Sequence, residues 1–144
     1  VAVMAHLNAG AALAMREVGV SAATDVTGFG LLGHLHEMLG GGIGAEIEAA
    51  AVPLLQGAAD LAAGGVVPGG TRKNLTHAEG FTDFGDTDPA TRLLLADAQT
   101  SGGLLIAVPE ARADHLIAAL QHEQTPAAAV VGRITDDDAR IRIV

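Results

Sequence analysis

Thr24-Asp25-Val26-Thr27-Gly28-Phe29-Gly30-Leu31-Leu32-Gly33-His34 is the stretch on which the reading of the fold turns. Val18, Val20, Ala22 and Ala23 lead into it, and an apolar run from 31 to 39 leaves it with helical character. This is the pattern of a strand ending in a turn that opens a helix. Such a turn exposes backbone N–H groups at the positive end of a helix dipole, where an anion is favoured. Asp25 stands at the mouth of that turn, an unfavourable place for a carboxylate if the anion binds directly.

Three readings of the stretch compete. Gly28, Gly30 and Gly33 match G-x-G-x-x-G, and Glu48 follows about twenty residues on, as in a dinucleotide-binding fingerprint. That fingerprint needs an apolar strand running straight into the first glycine, whereas Thr24, Asp25 and Thr27 line this rim, and Asp25 would repel a pyrophosphate. In the second reading a hard cation bridges Asp25 and a phosphate, since Mg²⁺ takes one or two carboxylates plus phosphate oxygens. In the third, the glycines let a helix pack closely on its strand, and Asp25 is an N-terminal cap. Spacing alone favours close packing first, the metal–phosphate site second and the dinucleotide site third.

Working outward, residues 2–18 read as a helix ended by Gly19, with His6 a packed or partly exposed side chain. Strand one covers 21–26 and helix two 29–39. His34 and His36, two apart, point to different sides of that helix and cannot chelate one metal together. Gly40, Gly41 and Gly42 end the helix, and 43–49 alternates as a strand with one covered face. A short helix is expected over 53–63, with Pro53 in its first turn. No period survives from 64 to 88, so this reads as a long irregular loop of the functional or mobile kind. It contains Pro68-Gly69-Gly70-Thr71-Arg72-Lys73-Asn74, whose Arg72 and Lys73 read as a solvated turn in preference to an anion contact.

Asp83, Asp86 and Asp88 do not fit a Ca²⁺ loop and read as solvated caps for a helix over 89–97. Asp97-Ala98-Gln99-Thr100-Ser101-Gly102-Gly103 then forms a tight turn before a buried strand, 104–108. Thr100 and Ser101 could be nucleophiles, but no histidine follows at a suggestive position, so a hydrolase triad has little support. An amphipathic helix is expected over 109–122. Strands 128–135 and 139–144 close the chain as a hairpin with an acidic turn at 136–138. The sum is an α+β, α/β-type mixed single domain over 1–144, a mixed β-sheet with packed helices.

Composition narrows the function. The 144 residues carry a net charge of −9 with only eight Lys and Arg, which disfavours a nucleic-acid binder. Three Phe and no Trp or Tyr leave no base-stacking platform and a core of Ala, Leu, Val and Ile. No run spans a bilayer, no signal peptide opens the chain, and the absence of Cys suits a cytoplasmic protein. The opening Val1-Ala2-Val3 reads as mid-helix, hence as part of a longer protein.

Three stretches together resemble one family. The 24–34 segment, then Pro68-Gly69-Gly70-Thr71 with Asn74, then Asp97 with Gln99-Thr100-Ser101-Gly102-Gly103-Leu104-Leu105 are similar, in order and spacing, to the C-terminal half of selenophosphate synthetase (selenide, water dikinase). Val130-Val131-Gly132-Arg133-Ile134 fits as well, so the resemblance covers essentially the whole chain. The wider superfamily is that of aminoimidazole ribonucleotide synthetase, whose C-terminal domain supplies the expected fold. Its members typically carry three glycines where this chain has Gly28-Phe29-Gly30, which favours the selenium enzyme.

The resemblance implies conversion of ATP, selenide and water to selenophosphate, AMP and phosphate, with Mg²⁺ required. It implies an N-terminal half, absent here, that holds the catalytic Cys or selenocysteine, the essential lysine and most ATP contacts, in a homodimeric cytoplasmic enzyme. Asp25 maps onto the family's metal-binding aspartate, which moves the metal–phosphate reading to first place. Thr27, Gly28 and Gly30 would line the phosphate side, and Thr71, Asn74, Gln99, Thr100 and Ser101 would support the site or gate the substrate. The alternatives are another ATP-dependent relative (thiamine-monophosphate kinase or a hydrogenase-maturation protein), a non-catalytic interaction domain, and a free-standing dinucleotide-binding module.

Overall fold

The structure, a computed structural model, describes residues 2–136 and 140–144. In chain order the elements are α1 (Ala2–Ala5), α2 (Ala9–Val18), β1 (Ala22–Asp25), α3 (Gly30–Leu39) and β2 (Gly44–Ile47). Then come α4 (Ala58–Ala63), α5 (Gly69–Ala78), β3 (Thr82–Asp83), α6 (Pro89–Leu95) and β4 (Leu104–Ala107). The chain continues through α7 (Ala113–His122), β5 (Gly132–Thr135) and β6 (Ile141–Ile143). Short 3₁₀ turns occupy Ala49–Ala51 and Glu110–Arg112. The expected α+β organisation in one domain holds.

Two hydrophobic cores meet at a ribbon. β1 and β4 pair antiparallel, with Ala22 opposite Ala107 and Asp25 opposite Leu104. Because side chains alternate across a strand, β4 serves both cores. Leu105 packs on the larger one, while Leu104, Ile106 and Val108 pack on the smaller one, which α2 and α7 build from Ala11, Ala14, Val18, Leu116, Ala119 and Leu120. The larger core lies between α3 and the second sheet and holds Leu32, Leu35, Ile47, Phe84 and Ile141. That sheet is mixed, in the order β3-β6-β2-β5. β2 runs parallel to β6 and antiparallel to β5, and β3 runs parallel to β6. Glu46 of β2 sits between Arg133 and Arg142 of the flanking strands and ion-pairs with both, the Arg142 contact at 2.8 Å.

Several expectations are met for the reasons given. Gly19 (φ 73°) ends α2, Gly40 (φ 63°) ends α3, and α6 begins at Pro89 under the Asp88 cap. The Asp88 carboxylate accepts from the Ala90 and Thr91 amides and, at 2.6 Å, from the Thr91 hydroxyl. That hydroxyl, then the Thr91 amide, holds the carboxyl below its ordinary value.

Others are corrected. The helix expected over 2–18 breaks at 6–8, and α2 restarts with the Asn8 carbonyl as its first acceptor. Gly10 lets the restarted helix press against Glu123, whose carbonyl oxygen lies 3.0 Å from where a Cβ would be. The helix expected over 53–63 begins only at Ala58, because Gly57 (φ 81°) stands in a conformation that no right-handed helix can contain. The loop expected over 64–88 contains the ten-residue helix α5 and strand β3. Its inward stripe, Thr71, Asn74, Leu75 and Ala78, has helical spacing, but half of it is polar, which hid the period. Arg72 and Lys73 therefore lie on a helix, and Arg72 donates to the Gly65 carbonyl at 3.3 Å. Strand 104–108 is half-buried along β4, because the ribbon has only two strands. Finally, β5 and β6 form no hairpin: they lie on opposite sides of β2. Of the acidic turn expected at 136–138, residues 137 and 138 lie outside the described residues.

Candidate functional site

The three stretches singled out in the sequence converge at the end of the β1–β4 ribbon. The ladder runs past the strand ends, with the Val26 amide donating to the Gly103 carbonyl (2.9 Å) and the Gly102 amide to the Val26 carbonyl (2.9 Å). The Thr27 carbonyl accepts from the Gly30 amide (3.0 Å) and from the Gln99 amide (3.1 Å), tying the turn before α3 to the 97–103 turn. Asn74 of α5 closes the junction. Its side-chain amide donates to the Gly28 carbonyl at 2.8 Å and to the Ala96 carbonyl at 3.1 Å. Nearby, the Thr71 hydroxyl donates to Asp97 at 2.7 Å and accepts from the Ala98 amide at 3.1 Å. Thr71 is fully buried, so these partners replace the water it has lost.

The glycines divide between two tasks. Gly30 is buried at φ 72°, and a Cβ there would lie 2.8 Å from the backbone of Ala96 and Asp97. It serves the close approach of α3 to the 96–97 backbone. Gly28 is exposed with open space around it, and Gly102 backs onto the Val26 carbonyl. Phe29, at the N-cap position, gives α3 no side-chain cap, so the turn keeps the uncapped helix start that the sequence suggested.

Asp25 ends β1 exposed at this mouth, and does not cap α3. Thr100 is exposed and Ser101 half-buried in the opposing turn. Among the described residues, no group of three or more His, Cys, Asp or Glu could hold a metal ion. One exposed carboxylate beside a glycine turn still fits Mg²⁺, which uses few protein ligands when phosphate oxygens and water complete its shell. It would not make a cage for a transition metal.

Sequence reasoning missed two residues here. His34 is buried, with Nε2 3.0 Å from the Thr27 hydroxyl and Nδ1 3.3 Å from a Glu37 carboxylate oxygen. The available signal was His34 three residues before Glu37 on a helix, a spacing that brings side chains together. His36 instead stacks on Phe81, ring centroids 3.9 Å apart, so the two histidines do point apart. A shallow cleft lined by Phe29, Gly33, His36, Glu37, Asn74, His77 and Phe81 lies between α3 and α5. Among the described residues no helix is long and apolar enough to cross a membrane.

The sequence of this domain has known counterparts. The sequence profile of the family described as "AIR synthase related protein, C-terminal domain" matches residues 1–144, and the chain belongs to that family. Within it, the chain is 48% identical over 140 residues to the selenide, water dikinase of Carboxydothermus hydrogenoformans, an alignment covering 96% of this chain and 40% of that protein. It is 42% identical over 137 residues to the selenide, water dikinase of Caldanaerobacter subterraneus subsp. tengcongensis (94% and 40% covered). It is 46% identical over 136 residues to that of Pelobacter propionicus (93% and 39% covered). The likeness carried by the three stretches is thus borne out, and the chain spans about two-fifths of the length of these curated relatives.

Proposed function

We propose that this chain is the C-terminal half, over 1–144, of an ATP-dependent selenide, water dikinase, which converts ATP, selenide and water to selenophosphate, AMP and phosphate. In this reading Asp25 is a Mg²⁺ ligand, and Thr27, Gly28 and Gly30 form the phosphate side, the last by holding the turn in place. Thr71, Asn74 and Gln99 hold the site together from behind, and Thr100 and Ser101 stand at its open edge toward substrate. The catalytic Cys or selenocysteine, the lysine and most ATP contacts belong to an N-terminal half, so the chain is inactive alone. The whole enzyme is a cytoplasmic homodimer.

The observation that carries the reading is the Asn74 bridge. It ties the glycine turn, α5 and the 96–103 turn into one junction, yet leaves Asp25 outward and uncommitted to a cap. A phosphate beside an aspartate is repelled unless a cation lies between them. Bound Mg²⁺ would offset that repulsion and draw charge from the phosphoryl oxygens. The residues of this chain do the rest by fixing where the carboxylate stands and keeping the turn's shape.

The test uses the intact enzyme, wild type against Asp25→Asn, with ATP, selenide and Mg²⁺ followed by ³¹P NMR. The expected result is a selenium-bonded phosphate plus AMP from the wild type and loss of turnover of about a thousandfold in the variant. Normal turnover by Asp25→Asn would remove the metal role. A wild type that makes AMP without a selenium-bonded product would remove the substrate.

A further inference from the structure

The four-stranded sheet turns one face into the larger core and leaves the other open. Ala45, Ile47, Ile141 and Ile143 point into that core, so the residues between them point outward. The register aligns one charged residue from each strand on the outer face. Asp83 of β3 stands beside Arg142 of β6, Arg142 beside Glu46 of β2, and Glu46 beside Arg133 of β5. The row reads minus, plus, minus, plus across the sheet. It meets solvent, with the Arg133 and Arg142 side chains 74% and 52% exposed.

The balance of charge singles this face out. Arg133, Arg140 and Arg142 are three of the eight Lys and Arg in a chain of net charge −9. With Glu46, Glu48 and Asp83 they make a face of zero net charge. Two copies of an acidic chain can therefore meet here without the repulsion that their net charge imposes on average. A row of alternating sign and even length is also complementary to itself when turned end for end.

We propose that the outer face of this sheet is a docking surface for a second copy of the chain, packed face to face about a two-fold axis parallel to the strands. The axis passes between β6 and β2. Asp83 of each copy then lies over Arg133 of the other, and Arg142 over Glu46. Within the sheet Arg140 stands next to Gly44, its carbonyl accepting from the Ala45 amide at 3.0 Å, so across the axis it meets a glycine and no like charge. Glu46 brings one carboxylate to two guanidiniums. A guanidinium carries five N–H donors, so Arg133 can take a second carboxylate from the other copy. The face is about 14 Å across its four strands, below the size of a standard interface, so the pairing is weak and salt-sensitive. It depends on neither the Asp25 cation site nor ATP chemistry.

The test is sedimentation velocity on the 144-residue chain, from micromolar to millimolar concentration. The wild type is expected to pass from monomer to dimer over that range. Raising NaCl from about 0.05 M to about 0.5 M should weaken the dimer about tenfold. Arg133→Glu or Asp83→Arg alone should each weaken it about tenfold, since each sets like charges face to face twice. The chain carrying both substitutions should recover most of the wild-type affinity. Within one copy the two positions stand at opposite edges of the sheet, about 14 Å apart, so recovery reports contact between copies. A wild type that stays monomeric at millimolar concentration, or a double variant no better than either single one, overturns the proposal. So does a dimer that neither reversal weakens, which would place the interface elsewhere, such as the exposed Leu54, Leu55 and Leu61. Arg133→Glu also breaks the pair with Glu46, so the fold of each variant is first compared with wild type by far-UV circular dichroism. Should one not fold, the amide shifts of the ¹⁵N-labelled wild type on dilution decide. Movement at Glu46, Asp83, Arg133 and Arg140 supports the face, and a dimer that dissociates without it overturns the proposal.

Discussion

Two carboxylates stand at the same junction and are treated in opposite ways. Asp97 is held by the fully buried Thr71 at 2.7 Å, with the Ala98 amide bonded to the same threonine. Asp25 is exposed at the end of β1. Around Asp97 the chain supplies its own partners; Asp25 stands exposed at the strand end and does not cap α3. If Asp25 holds the cation as proposed, structure and function are divided over a few residues, and the two sides should answer differently to substitution.

The largest effect is expected on the closed side. Gly30→Ala combines a positive φ with a methyl 2.8 Å from the Ala96 and Asp97 backbone, and should destabilise the chain by about 3 kcal/mol in a urea titration. A loss under about 1 kcal/mol would mean that α3 does not press on the 96–97 turn. Thr71→Val keeps the shape but leaves Asp97 and the Ala98 amide without their partner, for a loss of about 2 kcal/mol. Asn74→Ala removes two hydrogen bonds at a partly exposed position and should cost about 1 kcal/mol, with new amide exchange at the 28–30 turn read by hydrogen–deuterium exchange. On the open side, Asp25→Asn should leave stability within about 0.5 kcal/mol of wild type. If Asp25→Asn destabilised as much as Thr71→Val, the contrast between the two carboxylates would collapse.

The same contrast explains what the sequence disclosed. The 24–34 stretch was legible because a glycine turn separates a short extended approach from an apolar run with helical spacing, and α3 lies within a residue of its expected limits. The cap at Asp88 and the stops at Gly19 and Gly40 follow from local chemistry alone. Helix α5 was illegible because Thr71 and Asn74 occupy its inward stripe as polar residues, and their partners are 22 to 46 residues away in the chain. The separation of β5 from β6 was hidden for a related reason: adjacent strands suggest a hairpin, but β2 offered an edge to each. The signal lay in charge, since Glu46 faces Arg133 on one side and Arg142 on the other. His34 and Glu37 were readable as a helical pair, but only the fold shows the Thr27 hydroxyl 3.0 Å from His34 Nε2.

Strand β6, seated between β2 and β3, carries a consequence for how the molecule is made. Glu46 and Arg142 are 96 residues apart in the chain, and both neighbours of β2 come from residues after 131. A ribosome delivers β2 before either partner, so the nascent chain must carry two unpaired edges and the apolar Ala45 and Ile47 until residues 132–143 have been made. Long-range closure of this kind slows folding, and bare edges invite pairing with other chains. Yield in a cell should therefore depend on chaperone supply during translation more than on the stability of the finished domain.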